Sequence, residues 1–541
     1  MAHSLIFSLC FLLIHSVFAK DKSKVVDTVQ GKVEGYLAAN ELYYEFCGIR
    51  YAVFKERYQA PEDPPSHDGI FKADNRFVLC PQFPANDALS APSEHEDCLI
   101  LNIYVPNFTN TTLPVMVFLH GGDFGIGSSS PVFYGPHYLI SHEVIVVTVN
   151  YRLNALGFLN LGVKEAPGNA GLKDIRAALR WIQENIESFG GNPDNVTVFG
   201  QGSGGVAAIY LTLSESCNGL FKRIISESGS LFTPKSFDAN PLATASQVAK
   251  SLGANTLDQE ELLNIYTDVP INKLEEAIGK QMNAKSVFVP SVETYLDNDP
   301  FLCDVPFNIL TSDNFNPTPA IFGINTVEGL ACTLDYFTIT SQIDRMKNED
   351  LSVLDQRSFN TTKKEKIEIR EILKDTYFAN ISTDENVIGG FINMNSDFSY
   401  VGPFSLFVEL YANNSDVNVY QYIFNHIGYR NLGRILTNTT LPATTNMDEL
   451  FYLFELERLP LPINEDDARI ITFMTMMWTN FAKFGTPTPE KANGEWLPYP
   501  QNLAITLEPQ YVAPLTPERA QFWRSLYFKY GAEIERENDD S

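Results

Sequence analysis

Some segments of this chain are apolar at nearly every position, and that restricts the fold more than any other feature. Val115-Met116-Val117-Phe118-Leu119 has no polar side chain, and Val144-Ile145-Val146-Val147-Thr148-Val149 has only a threonine. Runs this short and this rich in branched residues read as strands buried on both faces, which need covering layers above and below. Over residues 171–189 the apolar positions Leu172, Ile175, Ala178, Leu179, Ile182 and Ile186 recur at helical spacing. Val196-Thr197-Val198-Phe199 is a further strand, followed by glycines and a helix-like stretch from Val206. Ala320-Ile321-Phe322-Gly323 and residues 417–424 supply others. Strands alternating with helices in this way predict an α/β fold, a mostly parallel central sheet with helices on both faces. No internal repeat, low-complexity tract or long linker interrupts the pattern, so a single domain is expected over 20–541. The charged stretch 341–376 reads as a solvated helical excursion.

The two ends carry different signals. Residues 1–19 hold an apolar run too short to span a bilayer, with small residues before Lys20, the pattern of a signal peptide. The tail Glu533-Ile534-Glu535-Arg536-Glu537-Asn538-Asp539-Asp540-Ser541 is acidic and offers neither a membrane-spanning stretch nor a lipid-anchor signal. A secreted, extracellular protein without a membrane anchor is expected. The net charge of −27 argues against nucleic acid and anionic membranes as partners, and favours cationic partners or plain solubility. The sequons at Asn107, Asn110, Asn195, Asn360, Asn380, Asn413 and Asn438 fit an exported glycoprotein. Apart from Cys10 in the leader, Cys80 and Cys98 are spaced to close a short loop. The pairing of Cys47, Cys217, Cys303 and Cys332 stays open. No cysteine or histidine spacing suggests a metal site, and no cofactor motif is present.

Several segments then fall into one known order. Phe46-Cys47-Gly48-Ile49-Arg50-Tyr51-Ala52 resembles a motif F-x-G-I-P-Y-A, with Arg50 in place of proline. Glu96-Asp97-Cys98-Leu99-Ile100-Leu101-Asn102-Ile103-Tyr104 matches E-D-C-L-x-L-N-I-Y, and His120-Gly121-Gly122-Asp123-Phe124 matches H-G-G-x-F. Asn150-Tyr151-Arg152, the stretch from Pro167 to Asp174, Phe189-Gly190-Gly191-Asn192-Pro193 and the stretch from Trp478 to Gly485 follow in sequence. Together they resemble the type-B carboxylesterase and cholinesterase family of the α/β-hydrolase fold, from about Val25 to about Tyr530. The resemblance and the oxidising compartment imply a disulfide between Cys80 and Cys98.

Ester hydrolysis on this fold needs a serine on a sharp strand-to-helix turn, a histidine to take its proton, a carboxylate to orient that histidine, and backbone donors for the oxyanion. The turn reads Val198-Phe199-Gly200-Gln201-Gly202-Ser203-Gly204-Gly205, where the family pattern F-G-x-S-x-G-G sets the nucleophile at Gly202. Making Ser203 the nucleophile would leave Gln201 where the turn first needs a glycine. Gly323-Ile324-Asn325-Thr326-Val327-Glu328-Gly329 resembles G-x-N-x-x-E-G, with Glu328 as the retained acid. Asn446 stands at the histidine position of the segment Thr444-Thr445-Asn446-Met447-Asp448-Glu449-Leu450. An asparagine takes up no proton near neutral pH. Of the chain's histidines only His426 follows Glu328, and its place at a strand end suits a structural role. The oxyanion positions are Gly121, Gly122, Asp123 and Ser203. Asp123 puts a carboxylate either beside the developing charge or out in a surface hydrogen bond. With nucleophile and base both replaced, the expectation is a non-hydrolytic protein that binds an extracellular protein, as in adhesion. The alternatives are a carrier of small apolar ligands and a carboxylic ester hydrolase with a non-standard nucleophile.

Overall fold

A computed structural model describes residues 22–82, 96–108, 111–282, 288–294, 300–312, 315, 317–334, 362–379, 384–490 and 494–531. In chain order its strands are β1 (Ser23–Thr28), β2 (Gly31–Leu37), β3 (Tyr43–Arg50), β4 (Ile70–Lys72), β5 (Ile100–Pro106), β6 (Leu113–Leu119) and β7 (Ile145–Val149). They continue as β8 (Asn160–Val163), β9 (Ala166–Pro167), β10 (Gly191–Gln201), β11 (Arg223–Glu227), β12 (Ala320–Asn325), β13 (Val419–Phe424), β14 (Asn502–Ile505) and β15 (Gln510–Val512). The main sheet runs β1-β2-β3-β5-β7-β6-β10-β11-β12-β13-β14-β15, with β4 against β2, while β8 and β9 form a separate pair. From β7 through β14 every neighbouring pair is parallel. The pairs β1–β2, β2–β3, β3–β5, β5–β7 and β14–β15 are antiparallel.

The apolar runs that dictate this sheet divide their side chains between two cores. Val115, Val117 and Leu119 of β6 and Val147 and Val149 of β7 pack on one face, with residues of the helices Ala170–Asn185 and Ser203–Leu213. Met116 and Phe118, with Val146 and Phe199, pack on the other face against the helix Glu465–Phe484. Alternation along each strand thus supplies both layers, as expected for a doubly covered sheet. The predicted helix over 171–189 is α-helical through Asn185 and tightens to a 3-10 turn over Ile186–Phe189, where Gly190 in the left-handed region ends it. Of the charged excursion, residues 363–377 form a helix opened by a Thr362–Glu365 capping box; residues 341–361 lie outside the described residues.

One contact sets how near a helix can come to the sheet. An ideal Cβ at Gly204 would lie 2.0 Å from the Leu119 carbonyl oxygen, and one at Gly205 would lie 2.3 Å from Ser226 Oγ. At Gly200 it would lie 2.5 Å from the Gly204 carbonyl carbon. The helix Ser203–Leu213 therefore seats its backbone directly on β6 and β10.

Cys80 and Cys98 are disulfide-bonded, whereas Cys47, Cys217 and Cys303 are not. Asn107, Asn413 and Asn438 are exposed, while the Asn195 side chain accepts from Arg223 Nη1 at 2.6 Å. Asn110, Asn360 and Asn380, the predicted leader 1–19 and the tail 532–541 lie outside the described residues. No helix among the described residues is long and apolar enough to cross a membrane.

Two stability measurements follow from these features. Gly204→Ala should cost about 1–3 kcal/mol or more in denaturant titrations, because its Cβ meets main chain that cannot swing away. Replacing Cys80 and Cys98 together by serine should cost about 3 kcal/mol through the reopened loop.

Candidate functional site

At the carboxyl edge of the sheet, β10 ends at Gln201 and the next helix begins at Ser203, leaving Gly202 to make the turn. Its φ of 56° and ψ of −124° lie where only glycine rests without strain. The Gly202 N–H donates to the Glu227 carbonyl at 2.8 Å, and its own carbonyl accepts from Val206 N at 3.0 Å. A Cβ built on Gly202 meets nothing within 4 Å. Backbone conformation, and not crowding, therefore favours glycine here.

The loop after β6 lies alongside that turn. A Cβ at Gly121 would fall 2.6 Å from the Gln201 carbonyl oxygen, and one at Gly122 would fall 2.2 Å from the Ile126 carbonyl oxygen. Gly121 lets the loop backbone meet the turn, and Gly122 lets the loop fold back on itself. Phe124 N donates to Ser203 Oγ at 3.2 Å, tying the loop to the helix start. The N–H groups of Gly122, Asp123 and Ser203 donate to no acceptor among the described residues. Asp123 and Phe124 both hold positive φ, 55° and 58°. The Asp123 side chain is 57% exposed and accepts from Lys235 Nζ at 2.5 Å. Of the two readings of Asp123, the outward surface contact is the one observed.

Glu328 follows β12 at the start of a 3-10 helix and is fully buried. It accepts from Ser228 Oγ at 2.6 Å, from Asn325 N at 2.7 Å and from Asn446 Nδ2 at 3.0 Å. Asn446 Oδ1 in turn accepts from Gln201 Nε2 at 3.1 Å. Gln201, Asn446 and Glu328 thus form a row of two neutral amides ending on a carboxylate, beside Gly202. His426 lies elsewhere: it is buried, with Nε2 3.2 Å from Asp467 Oδ1 and its ring edge-on to Tyr452. His120 stacks on Tyr151 with Nδ1 2.9 Å from the Gly121 carbonyl, and burial pushes its pKa down to about 4.

Behind this row lies a polar cluster that the sequence reading missed. Asn325 Nδ2 donates to Glu449 Oε2 at 2.7 Å, and Trp478 Nε1 donates to Glu227 Oε1 at 2.8 Å. Ser228, in the left-handed region at φ 55°, spans Glu328 and Glu449. Burial raises all three carboxyl pKa values, Glu227 to about 8. Glu449 is raised further by the like charges of Glu328 and Glu227. Glu328 is held lower by its donors from Asn325, Ser228 and Asn446. The available signal was adjacency: Glu449 sits in the same segment as Asn446, Asn325 in that of Glu328, and Gln201 beside Gly202. Glu227 and Ser228 had no comparable marker. Among the described residues no group of His, Cys, Asp and Glu is arranged to hold a metal ion.

A mostly parallel sheet with a strand-to-helix turn of this kind at its carboxyl edge defines an α/β-hydrolase. A model of the carboxylesterase family matches residues 22–523, and the chain belongs to that family. It is 30% identical over 502 residues to juvenile hormone esterase of Heliothis virescens, covering 88% of this chain and 87% of that one. It is also 30% identical to acylcarnitine hydrolase of Rattus norvegicus, with 96% and 94% covered. A crystal structure of juvenile hormone esterase from Manduca sexta, with OTFP covalently attached, superposes with a TM-score of 0.84 at 26% identity, covering 94% of this chain and all of that one.

The buried carboxyls set a pH dependence with a definite sign. A carboxyl whose folded pKa lies above its unfolded value favours folding when protonated. The contribution of Glu227 is thus complete below about pH 4.5, falls as pH rises, and is gone above about pH 8. Denaturant midpoints between pH 5 and 9 should decline more steeply for the parent protein than for Glu227→Gln. Equal slopes would mean that Glu227 is ionised in the native protein.

Proposed function

We propose that this chain is an exported, non-hydrolytic member of the carboxylesterase family, which binds without turning over an ester. The observation that carries the reading is the hydrogen-bonded row from Gln201 through Asn446 to Glu328 beside a turn whose tip is Gly202. On this reading Gly202 stands where the nucleophile would be and Asn446 where the base would be. Glu328 keeps the acid position, and Gly121, Gly122, Asp123 and Ser203 keep the oxyanion loop. The turn offers no hydroxyl, and an amide cannot take a proton. Ser203 does not replace the nucleophile, because its Oγ is engaged by Phe124 N and no imidazole faces it among the described residues. The charge of −27 favours a cationic partner, and the run of sequons favours export. The open space beside Gly202, where a Cβ would meet nothing within 4 Å, is what favours the second reading, a carrier of small apolar ligands.

Two experiments test the reading. A serine-reactive phosphonate should leave Ser203 unlabelled, and labelling at the rate of an active esterase would overturn the proposal. Gly202→Ser should lower stability by about 1–3 kcal/mol, the cost of a side chain at this φ, and restore no turnover of a chromogenic ester. Adding Asn446→His should give measurable turnover, because Glu328 is already placed to orient the new ring. Asp123→Gly in that background should leave the rate nearly unchanged, since the Asp123 carboxylate is already turned out to Lys235. Robust hydrolysis by Gly202→Ser alone would reveal another base and sink the argument from Asn446.

A further inference from the structure

A short apolar shelf sits on the outside of the loop that carries Asn446. The helix Leu432–Thr437 ends at Asn438, which caps it in the left-handed region with φ 49° and ψ 39°. Beyond the cap the chain folds back, because Arg434 Nη1 donates to the carbonyls of Leu441 and Ala443. In the chain Leu436 and Leu441 flank the sequon Asn438-Thr439-Thr440, and that return brings the backbone of Leu441 back to Arg434. Ile435, Leu436 and Leu441 are 46%, 49% and 45% exposed, and Asn438 itself is exposed. The shelf is fixed to the site from beneath: Arg434 N donates to Asp448 Oδ1 at 3.1 Å, and a Cβ on Gly433 would come within 2.5 Å of the Asn446 carbonyl oxygen.

Single exposed apolar residues need no explanation, but three large ones around a tight turn leave a surface that favours being covered. A sugar has one face of C–H groups and a polar rim, so it can lie on such a surface while keeping its hydroxyls in water. We propose that Asn438 carries an N-linked glycan whose first sugars lie on Ile435, Leu436 and Leu441. The chain's own carbohydrate, and not a second protein, then covers this shelf. The inference rests on the export proposed above, because the modification belongs to the secretory route. It also separates this sequon from Asn195, whose side chain is occupied by Arg223.

The test uses the full chain secreted from eukaryotic cells. Glycopeptide mass mapping should find carbohydrate on Asn438. Trimming the folded protein with an endoglycosidase should raise its binding of an environment-sensitive apolar dye. Thr440→Ala, which removes the sequon and keeps Asn438, should show the same rise. Adding Leu436→Glu to Thr440→Ala should remove it. A bare Asn438 in protein whose Asn107 or Asn413 is modified overturns the shelf proposal and leaves export standing. Failure of the chain to reach the medium, with every sequon bare, overturns both. Dye binding that does not change on trimming, or self-association of the glycosylated protein that Leu436→Glu abolishes, shows that the sugar is not what covers the shelf.

Discussion

The architecture depends on how closely one helix approaches the sheet. With Gly204 against the Leu119 carbonyl, the helix Ser203–Leu213 sits lower on the strands than any residue with a side chain would permit. That seating sets the sharpness of the turn at Gly202 and the distance from the turn to the loop after β6. Gly121, against the Gln201 carbonyl, completes the approach from the other side. A helix raised by one methyl group would move all of these elements together, because close-packed interiors pass displacement on instead of absorbing it. The positions of the turn at Gly202 and of the loop after β6 therefore follow from the absence of a few Cβ atoms.

The electrostatics of the site are unusual in what they lack. Three buried carboxyls, Glu227, Glu328 and Glu449, gather behind it, and the groups bonded to them are hydroxyls, amides, backbone N–H and an indole. Neutral donors solvate a buried carboxylate only in part, so the cluster favours retaining protons. Asn446 belongs to this neutral surround. An imidazole in its place could carry a positive charge beside Glu328, whereas the amide cannot. The exposed face differs, since the Asp123–Lys235 pair is bathed in solvent and contributes little to stability.

The parts of this protein legible in the sequence are those where a residue type answers a local demand. Doubly apolar β6 and β7 required covering layers, and the odd and even residues of β6 supply one core each. The segments around Gly202, Glu328 and Asn446 stood out through their resemblance to family motifs, which are local in the chain, and the fold brings these three residues together. The antiparallel strands β1, β2, β3 and β5 were not legible, since their order depends on pairings between distant segments. Asp123 could not be resolved from sequence either. Its direction depends on Lys235, which lies 112 residues away and is held in place by a different loop. The buried carboxyl cluster escaped notice for a related reason: a glutamate in sequence is most often solvated, and only the fold removes the water.

Gly202 and Asn446, brought to one site by the fold, bear on how this sequence could change over time. Under the proposed reading, regaining hydrolysis takes a serine at 202 and a histidine at 446 together. A serine arriving first bears a positive φ and finds no base; a histidine arriving first finds no nucleophile. Neither step alone brings turnover, and benefit comes only when both are present. Sites coupled this way are entrenched.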